Sequence, residues 1–236
     1  MKPFVYFTLG YRYDAIAEFM RNSDGVYAFE FGFPTSKPVY DGIRIRKTHD
    51  PELNRYSEAE NSRIFKIADD IGSKKYALMY YEVLSANPGI LDYLNRNGFA
   101  GAILPDLMID HRDAFFDAVE RLRQYSLDYV PFVTPITPVK VMEEQIAAGG
   151  DWIYQGMMPA TGVQLPYSID AIYNHIRPYA GGKRIVYGFG IRDAGTMKML
   201  ASYEAFGIAV GTAVVEMMEN LDTASYRRLI ETIMEA

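Results

Sequence analysis

Two carboxylates, Glu30 and Asp41, lie in the segment FEFGFPTSKPVYDG, where a hydrophobic strand pattern ends. In the preceding run VYAFEF, large aromatics alternate with Val26, Ala28 and Glu30, and strand side chains alternate between two faces. If this strand belongs to a parallel barrel, Glu30 points inward at the carboxyl-terminal rim, where such barrels carry catalytic residues. Two carboxylates in different surroundings can divide the tasks of proton donor and acceptor. The alternative is a charged residue that only ends a strand.

The elements that would position this pair follow an alternating pattern of strands and helices. Strand-like runs occupy residues 4–9, 26–31, 76–80, 101–105, 129–133, 152–156, 184–189 and 206–210. Amphipathic stretches with apolar residues at three and four spacing separate them, and no Pro/Gly/Ser-rich linker divides the chain. A chain of 236 residues that is 49% hydrophobic can bury one large core. The sequence therefore predicts an α/β fold, a (β/α)8 TIM barrel forming a single domain over residues 1–236.

Composition narrows the function classes. The net charge of −6 gives no general attraction to nucleic acid or to an anionic membrane. The chain has no cysteine, which excludes thiolate catalysis and disulfides, and its three histidines are far apart, so we expect no metal site. No run approaches the ~20 apolar residues of a spanning helix, and the apolar run at the start is too short for the core of a signal sequence. We expect a cytoplasmic protein with no membrane or nucleic-acid partner.

Two late segments have the chemistry of phosphate loops. One strand pattern ends in YGFG, with Gly190 last, and another ends in Gly211 and Thr212 directly before a helix. Glycine lets the main chain approach an anion, and a helix N-terminus adds partial positive charge. In barrels, the loops after strands seven and eight often bind phosphate. The segment PATGVQLP could close over the same site through Thr161 and Gly162. Tight turns without a ligand are the alternative.

Taken together, several segments resemble the tryptophan synthase alpha subunit family, in order and over almost the whole chain: EFGFPTSKPVYDG, LMYYEVL, ILPDL, ATGV, YGFGI and AVGTAVV. The resemblance implies a (β/α)8 barrel that cleaves indole-3-glycerol phosphate to indole and D-glyceraldehyde 3-phosphate, a lyase step of L-tryptophan biosynthesis. It implies no cofactor for this chain. It also implies a partner, the pyridoxal-phosphate beta subunit, which consumes the indole within an αββα heterotetramer.

The resemblance assigns roles residue by residue. Glu30 and Asp41 fall on the family's catalytic glutamate and aspartate. Glu30 suits a proton shuttle because burial raises a carboxyl pKa, and Asp41 suits the indole nitrogen as an anion. Thr161 falls on the loop threonine that orients this aspartate on closure. Phosphate-binding positions fall on Gly162, Gly190, Gly211 and Thr212. Residues expected to line the indole pocket, with a packing role as the alternative, are Tyr6, Leu78, Tyr154 and Phe189.

The sequence departs from the family pattern mainly where the partner docks. Lys37 replaces an aspartate, Tyr40 a small residue, and Met108 a proline of a contact loop. Catalysis is therefore predicted to be intact, whereas the interface leaves two alternatives open: a stand-alone indole-3-glycerol-phosphate lyase, or a non-catalytic regulatory subunit of the beta chain. A different phosphate-binding barrel, such as an isomerase or indole-glycerol-phosphate synthase, is a further reading. The synthase needs lysine at strand ends, and Lys75 is predicted to precede strand three at the opposite end.

Overall fold

The computed structural model describes residues 1–158, 167–189, 191 and 194–236. Within them nine strands form one parallel sheet with the order β5-β4-β3-β2-β1-β9-β8-β7-β6. The strands are β1 (Lys2–Thr8), β2 (Ala28–Gly32), β3 (Lys74–Leu78), β4 (Gly101–Ile103), β5 (Asp128–Val130), β6 (Phe132–Val133), β7 (Trp152–Gly156), β8 (Arg184–Gly188) and β9 (Gly207–Val210).

Helices connect successive strands and cover the outside of the sheet. They are α1 (Tyr13–Arg21), α2 (Ile43–Thr48), α3 (Glu58–Asp70), α4 (Tyr81–Ala86), α5 (Ile90–Arg96), α6 (Leu107–Asp110), α7 (Phe115–Gln124), α8 (Val139–Ala148), α9 (Ile169–Ile176), α10 (Ala194–Ser202), α11 (Thr212–Glu219) and α12 (Thr223–Glu235). Side-chain caps start three of them: Ser57, Ser168 and Asp222 each accept a backbone N–H of the first turn. In the described part of the chain, no helix combines the length and apolarity needed to cross a membrane.

The sheet closes at Pro131, which divides the predicted strand 129–133 into β5 and β6. β5 pairs with β4 and β6 pairs with β7, so both ends of the sheet belong to one stretch of chain. Proline has no N–H for a ladder. The next N–H, of Phe132, donates to Gln145 Oε1 at 3.3 Å, and the same oxygen accepts the Tyr129 hydroxyl at 2.8 Å. The predicted (β/α)8 barrel is thus confirmed, with its seam bridged by a side chain of α8.

Strand alternation separates the two faces of β2 as the sequence indicates. The Phe31 ring faces outward, 5.0 Å from the ring of Phe65 on α3. Strand register brings the inward residues Tyr6, Glu30 and Tyr76 to one level of the barrel. A Cβ at Gly32 would lie 2.1 Å from the Tyr6 hydroxyl, so only glycine leaves that ring its place above Glu30. The barrel interior is therefore built around the Glu30 level.

The prediction that Lys75 precedes strand three was wrong. Lys75 lies inside β3, which begins at Lys74, because the ladder to β2 starts with the pairs of Ala28 and Phe29. Its buried ammonium group bonds Asp69 of α3 on the outer face of the sheet. A lysine in this place does not reach the barrel mouth, the end at which the strands finish.

Replacing Gln145 with leucine tests the seam. Leucine cannot accept the Tyr129 hydroxyl or the Phe132 N–H, and each buried donor left without a partner costs about 1–3 kcal/mol. We expect Gln145→Leu to lower the free energy of unfolding by at least about 1 kcal/mol, measured by urea denaturation, with exposed Gln124→Leu on α7 as the control. Equal midpoints for both variants would contradict a bridging role.

Candidate active site

Glu30 is a carboxylic acid enclosed by the barrel. It lies in β2, is 1% exposed, and neither carboxyl oxygen has a hydrogen-bond partner among the described residues. Burial alone raises the pKa of Glu30 to about 8, because the charged form loses its hydration without gaining a partner. Glu30 is therefore protonated at neutral pH and can donate a proton.

Asp41 lies on the segment between β2 and α2 and has a different environment. The Tyr80 hydroxyl donates to Asp41 Oδ2 at 2.9 Å, and Arg46 Nε donates to the Asp41 carbonyl at 2.5 Å. Burial raises the pKa of Asp41 to about 6, and the Tyr80 hydrogen bond and the Arg46 charge oppose this rise. Asp41 is therefore mainly ionised at neutral pH. Both carboxyl groups act electrostatically on the same two phenols, Tyr6 and Tyr154, and together they offer one proton donor and one anion.

The segment that carries Asp41 is fixed to its neighbours. The Tyr40 N–H donates to the Tyr80 hydroxyl oxygen at 3.0 Å, and the Tyr40 hydroxyl donates to Asp110 Oδ2 at 2.8 Å. Thr35 bonds Glu82 at the start of α4. Because Tyr80 accepts from the segment and donates to its carboxylate, one phenol fixes both the backbone and the charge of this loop.

The four residues expected to line the indole pocket lie around the end of the barrel that carries Glu30 and Asp41. Leu78 pairs with Gly32, one inward position above Glu30. Burial first, then the charges of Asp41 and Glu30, raise the pKa of both Tyr6 and Tyr154, so these phenols stay neutral. The Phe189 ring lies 5.7 Å from that of Tyr154.

Phe189 occupies backbone space that favours glycine. Its φ of 59° lies in the left-handed region, which costs a bulky residue about 1–3 kcal/mol. The half-buried ring packs 5.3 Å from Phe132 of β6 as well as against Tyr154. The strained turn after β8 therefore presents an aromatic ring to the mouth.

The expected phosphate residues are described only in part. Gly211 directly follows β9, and Thr212 begins α11. A Cβ at Gly211 would lie 3.4 Å from the Tyr6 side chain, so this helix N-terminus adjoins the level of Glu30. Thr161, Gly162 and Gly190 lie outside the described residues. Within the ranges that the structure describes, no group of three acidic, histidine or cysteine side chains could hold a metal ion.

Two residues near Asp41 were not identified from the sequence. Tyr80 shares its parity with Leu78, and that alternation was the signal that could have placed it at the mouth. His49, at the end of α2, lies with its Nε2 3.9 Å from Asp41 Oδ2. A single histidine beyond a loop carries no comparable signal.

A cavity of about 780 Å³ at the opposite end of the barrel is separate from this site. It lies where the strands begin, and its lining includes Lys2, Arg184 and Phe206. Arg184 stacks 4.6 Å from the centre of the Phe206 ring. Neither carboxylate of the mouth borders this cavity, so it is no part of the candidate active site.

Known proteins match the chain along its whole length. The family model described as tryptophan synthase alpha chain matches residues 4–235. The tryptophan synthase alpha chain of Sulfurisphaera tokodaii is 28% identical over 232 residues, which cover 97% of this chain and 94% of that one. The corresponding chain of Saccharolobus solfataricus is 29% identical, covering 96% and 93%. A solved structure of a mutant tryptophan synthase alpha subunit from Pyrococcus furiosus superposes with a TM-score of 0.82 at 20% identity, covering 100% and 98%. This last similarity supports the fold.

Replacing Glu30 with glutamine tests whether burial disfavours the Glu30 anion, through the pH dependence of the free energy of unfolding. Because the folded pKa of about 8 exceeds the ordinary 4.5, the folded protein binds this proton more tightly than the unfolded chain. The stabilisation is complete below pH 4.5 and is lost as the pH rises through 8. Glutamine does not ionise, so wild type should lose up to about 1.4 kcal/mol per pH unit relative to Glu30→Gln over this window. Urea denaturation at several pH values measures it.

The exposed Glu231→Gln variant is the matched control, since it makes the same chemical change outside the barrel. Parallel stability curves for wild type and Glu30→Gln would show that the folded protein does not disfavour the Glu30 anion.

Proposed function

The chain belongs to the tryptophan synthase alpha chain family, and we propose that Glu30 and Asp41 together perform the family's reaction in it. That reaction is a carbon–carbon lyase step, the cleavage of indole-3-glycerol phosphate. The observation that carries the assignment is the pair of buried carboxyl groups at one barrel mouth, with pKa values of about 8 and about 6. Different environments give them different protonation states, as an acid and an anion require.

Glu30 acts as the proton shuttle. Cleavage breaks the bond between indole C3 and C3′ of the glycerol chain. The protonated Glu30 carboxyl donates its proton to C3, and the resulting carboxylate takes the proton of the C3′ hydroxyl as the aldehyde forms. No net proton is consumed. The raised pKa supports the first step, since Glu30 holds a proton at neutral pH and has no competing partner among the described residues.

Asp41 acts on the indole nitrogen. Protonation at C3 makes N1 electron-poor, and a carboxylate that accepts the N1–H hydrogen bond stabilises the positive charge that develops there. The Tyr80 and Arg46 contacts support this role because they favour the ionised form of Asp41 inside a buried site.

Binding groups flank the pair on both sides. We assign the indole ring to Tyr6, Leu78, Tyr154 and Phe189, and the phosphate to Gly211 and Thr212 at the start of α11, where backbone N–H groups favour an anion. Gly162 and Gly190 are assigned to the phosphate, and Thr161 to closure over Asp41, from the sequence pattern alone. We propose that residues 1–236 form one cytoplasmic domain.

A beta subunit is the proposed partner, in an αββα heterotetramer that receives the indole. Its docking would bias the loops 33–42 and 157–166 toward closure and raise the lyase rate; for residues 159–166 this rests on the sequence pattern alone. One observation favours the alternative of a stand-alone lyase: Tyr40, which departs from the family pattern, already pins the loop 33–42 through Asp110 and Tyr80.

Substitution of the two carboxylates tests the reaction directly. Glu30→Gln should abolish indole release from indole-3-glycerol phosphate, because an amide has no proton to transfer. Asp41→Asn should retain a reduced rate, since an amide oxygen still accepts from N1 without charge; general acid–base groups contribute about 10²–10⁴-fold. Indole is measured in steady-state assays, and titration with a non-cleavable indolylalkyl phosphate checks that both variants still bind. A wild-type-like rate for either variant would remove that residue from the mechanism.

Adding the cognate beta subunit tests the partnership. We expect the isolated chain to be slow and the beta subunit to accelerate indole production by about 5–150-fold, the usual range of coupling between sites. Tyr40→Phe is informative, because it removes the Asp110 contact and keeps the ring. Equal, fast rates with and without the partner, together with a slower isolated Tyr40→Phe variant, would identify a stand-alone lyase instead.

A further inference from the structure

His49 is a buried residue beside Asp41 that the proposed mechanism does not use. It is 6% exposed and follows α2 directly. Its Nδ1 accepts the Thr35 N–H at 3.2 Å, while its Nε2 lies 3.4 Å from the Tyr6 hydroxyl and 3.9 Å from Asp41 Oδ2. One edge of the ring is thus anchored to backbone, and the other faces the site.

The Thr35 contact fixes the protonation state of the ring. A nitrogen that accepts an N–H cannot carry a proton, so the neutral ring has its hydrogen on Nε2. Burial lowers the pKa of His49 to about 4, which agrees with a neutral ring. The N–H edge of the imidazole, the positive end of its dipole, therefore points toward Tyr6 and Asp41.

A chain of hydroxyl groups makes this direction consistent. Thr48 donates to the Ile45 carbonyl at 2.7 Å, so its oxygen is free to accept from Thr8. Thr8 in turn accepts the Tyr6 hydroxyl at 2.9 Å, and the Tyr6 oxygen accepts from His49 Nε2. Every hydroxyl hydrogen in this series of hydrogen bonds thus points away from His49. Tyr6 has no hydrogen left for Asp41.

The contacts of Asp41 are one-sided. Both side-chain contacts that described residues make with its carboxylate, from Tyr80 and His49, fall on Oδ2. Arg46 reaches the backbone carbonyl instead. Among the described side chains, Oδ1 is therefore the oxygen left to a ligand.

We propose that His49 is a positioning residue for Asp41: its neutral N–H edge and the Tyr80 hydroxyl hold the Oδ2 side of the carboxylate, so that Oδ1 meets the indole N1–H. This inference rests on the proposed role of Asp41. A neutral N–H dipole suits the task because it favours the anion without cancelling its charge. A charged imidazolium would form an ion pair and weaken the interaction of Asp41 with the substrate.

Two amide substitutions separate the two edges of the ring. In His49→Asn the amide oxygen reaches the place of Nδ1 and keeps the Thr35 contact, but the N–H dipole at the place of Nε2, which faces Tyr6 and Asp41, is lost. In His49→Gln the longer amide returns an N–H donor near the place of Nε2. We expect His49→Asn to lower kcat about tenfold, equivalent to about 1.4 kcal/mol, with KM changed less than kcat. His49→Gln should recover most of the lost rate.

A double-mutant cycle with Asp41→Asn shows whether His49 acts through Asp41. In the Asp41→Asn background, His49→Asn should cost no further rate, because the group it positions is already gone. An equal loss in both backgrounds, or a wild-type kcat in His49→Asn, would overturn the inference while leaving the roles of Glu30 and Asp41 intact. An unreactive wild type, or a fully active Asp41→Asn, would overturn the proposed function itself.

A measurement on the unmodified protein covers the case in which the variants fold poorly. Nitrogen-15 NMR of the assigned His49 ring should show the neutral Nε2–H form from pH 6 to 8, with the Nδ1 shift of an acceptor. A charged ring, or the Nδ1–H form, in this range would contradict the proposal.

Discussion

The desolvation of a single carboxyl group, that of Glu30, is the constraint on which the rest of the site depends. The closed sheet surrounds this group with aromatic neighbours such as Tyr6 and Tyr76 at the same level. No described residue forms a hydrogen bond with its oxygens. Burying a polar group in this way costs free energy that the large apolar core must offset. The same desolvation raises the pKa of Glu30, so that the carboxyl group is protonated at neutral pH. A neighbour that satisfied the carboxyl would stabilise the fold and remove the chemistry.

The partner carboxylate has the opposite construction. Glu30 is fixed by the strand that carries it, whereas Asp41 lies on a loop and is fixed by what surrounds it. Tyr80 approaches it from the turn between β3 and α4, and Arg46 and His49 approach it from α2 and its C-terminal end. A strand imposes position through the ladder, but a loop needs explicit side-chain contacts to hold a charge within reaction distance. The acid is therefore specified by burial and the anion by hydrogen bonding.

The part of this arrangement that could be predicted from the sequence is the part set by local periodicity. Alternation in VYAFEF placed Glu30 on the inner face, and the strand–helix rhythm indicated the barrel. Periodicity cannot show where a strand changes partner, so the division at Pro131 and the inclusion of Lys75 in β3 were missed. His49 was also missed, because its contact with Asp41 depends on how α2 folds back over β1, which no spacing in the chain records.

The seam at Pro131 has a consequence for the order of assembly. All strand pairs of the described sheet join neighbours along the chain, except β1 with β9. Closing long loops costs more entropy than closing short ones, so two open arcs, β1–β5 and β6–β9, are expected to form before the ring does. Glu30 and Asp41 belong to the first arc, and Tyr154 and Thr212 to the second. Neither arc holds a complete site, so the time at which activity returns during refolding would report when β1 pairs with β9.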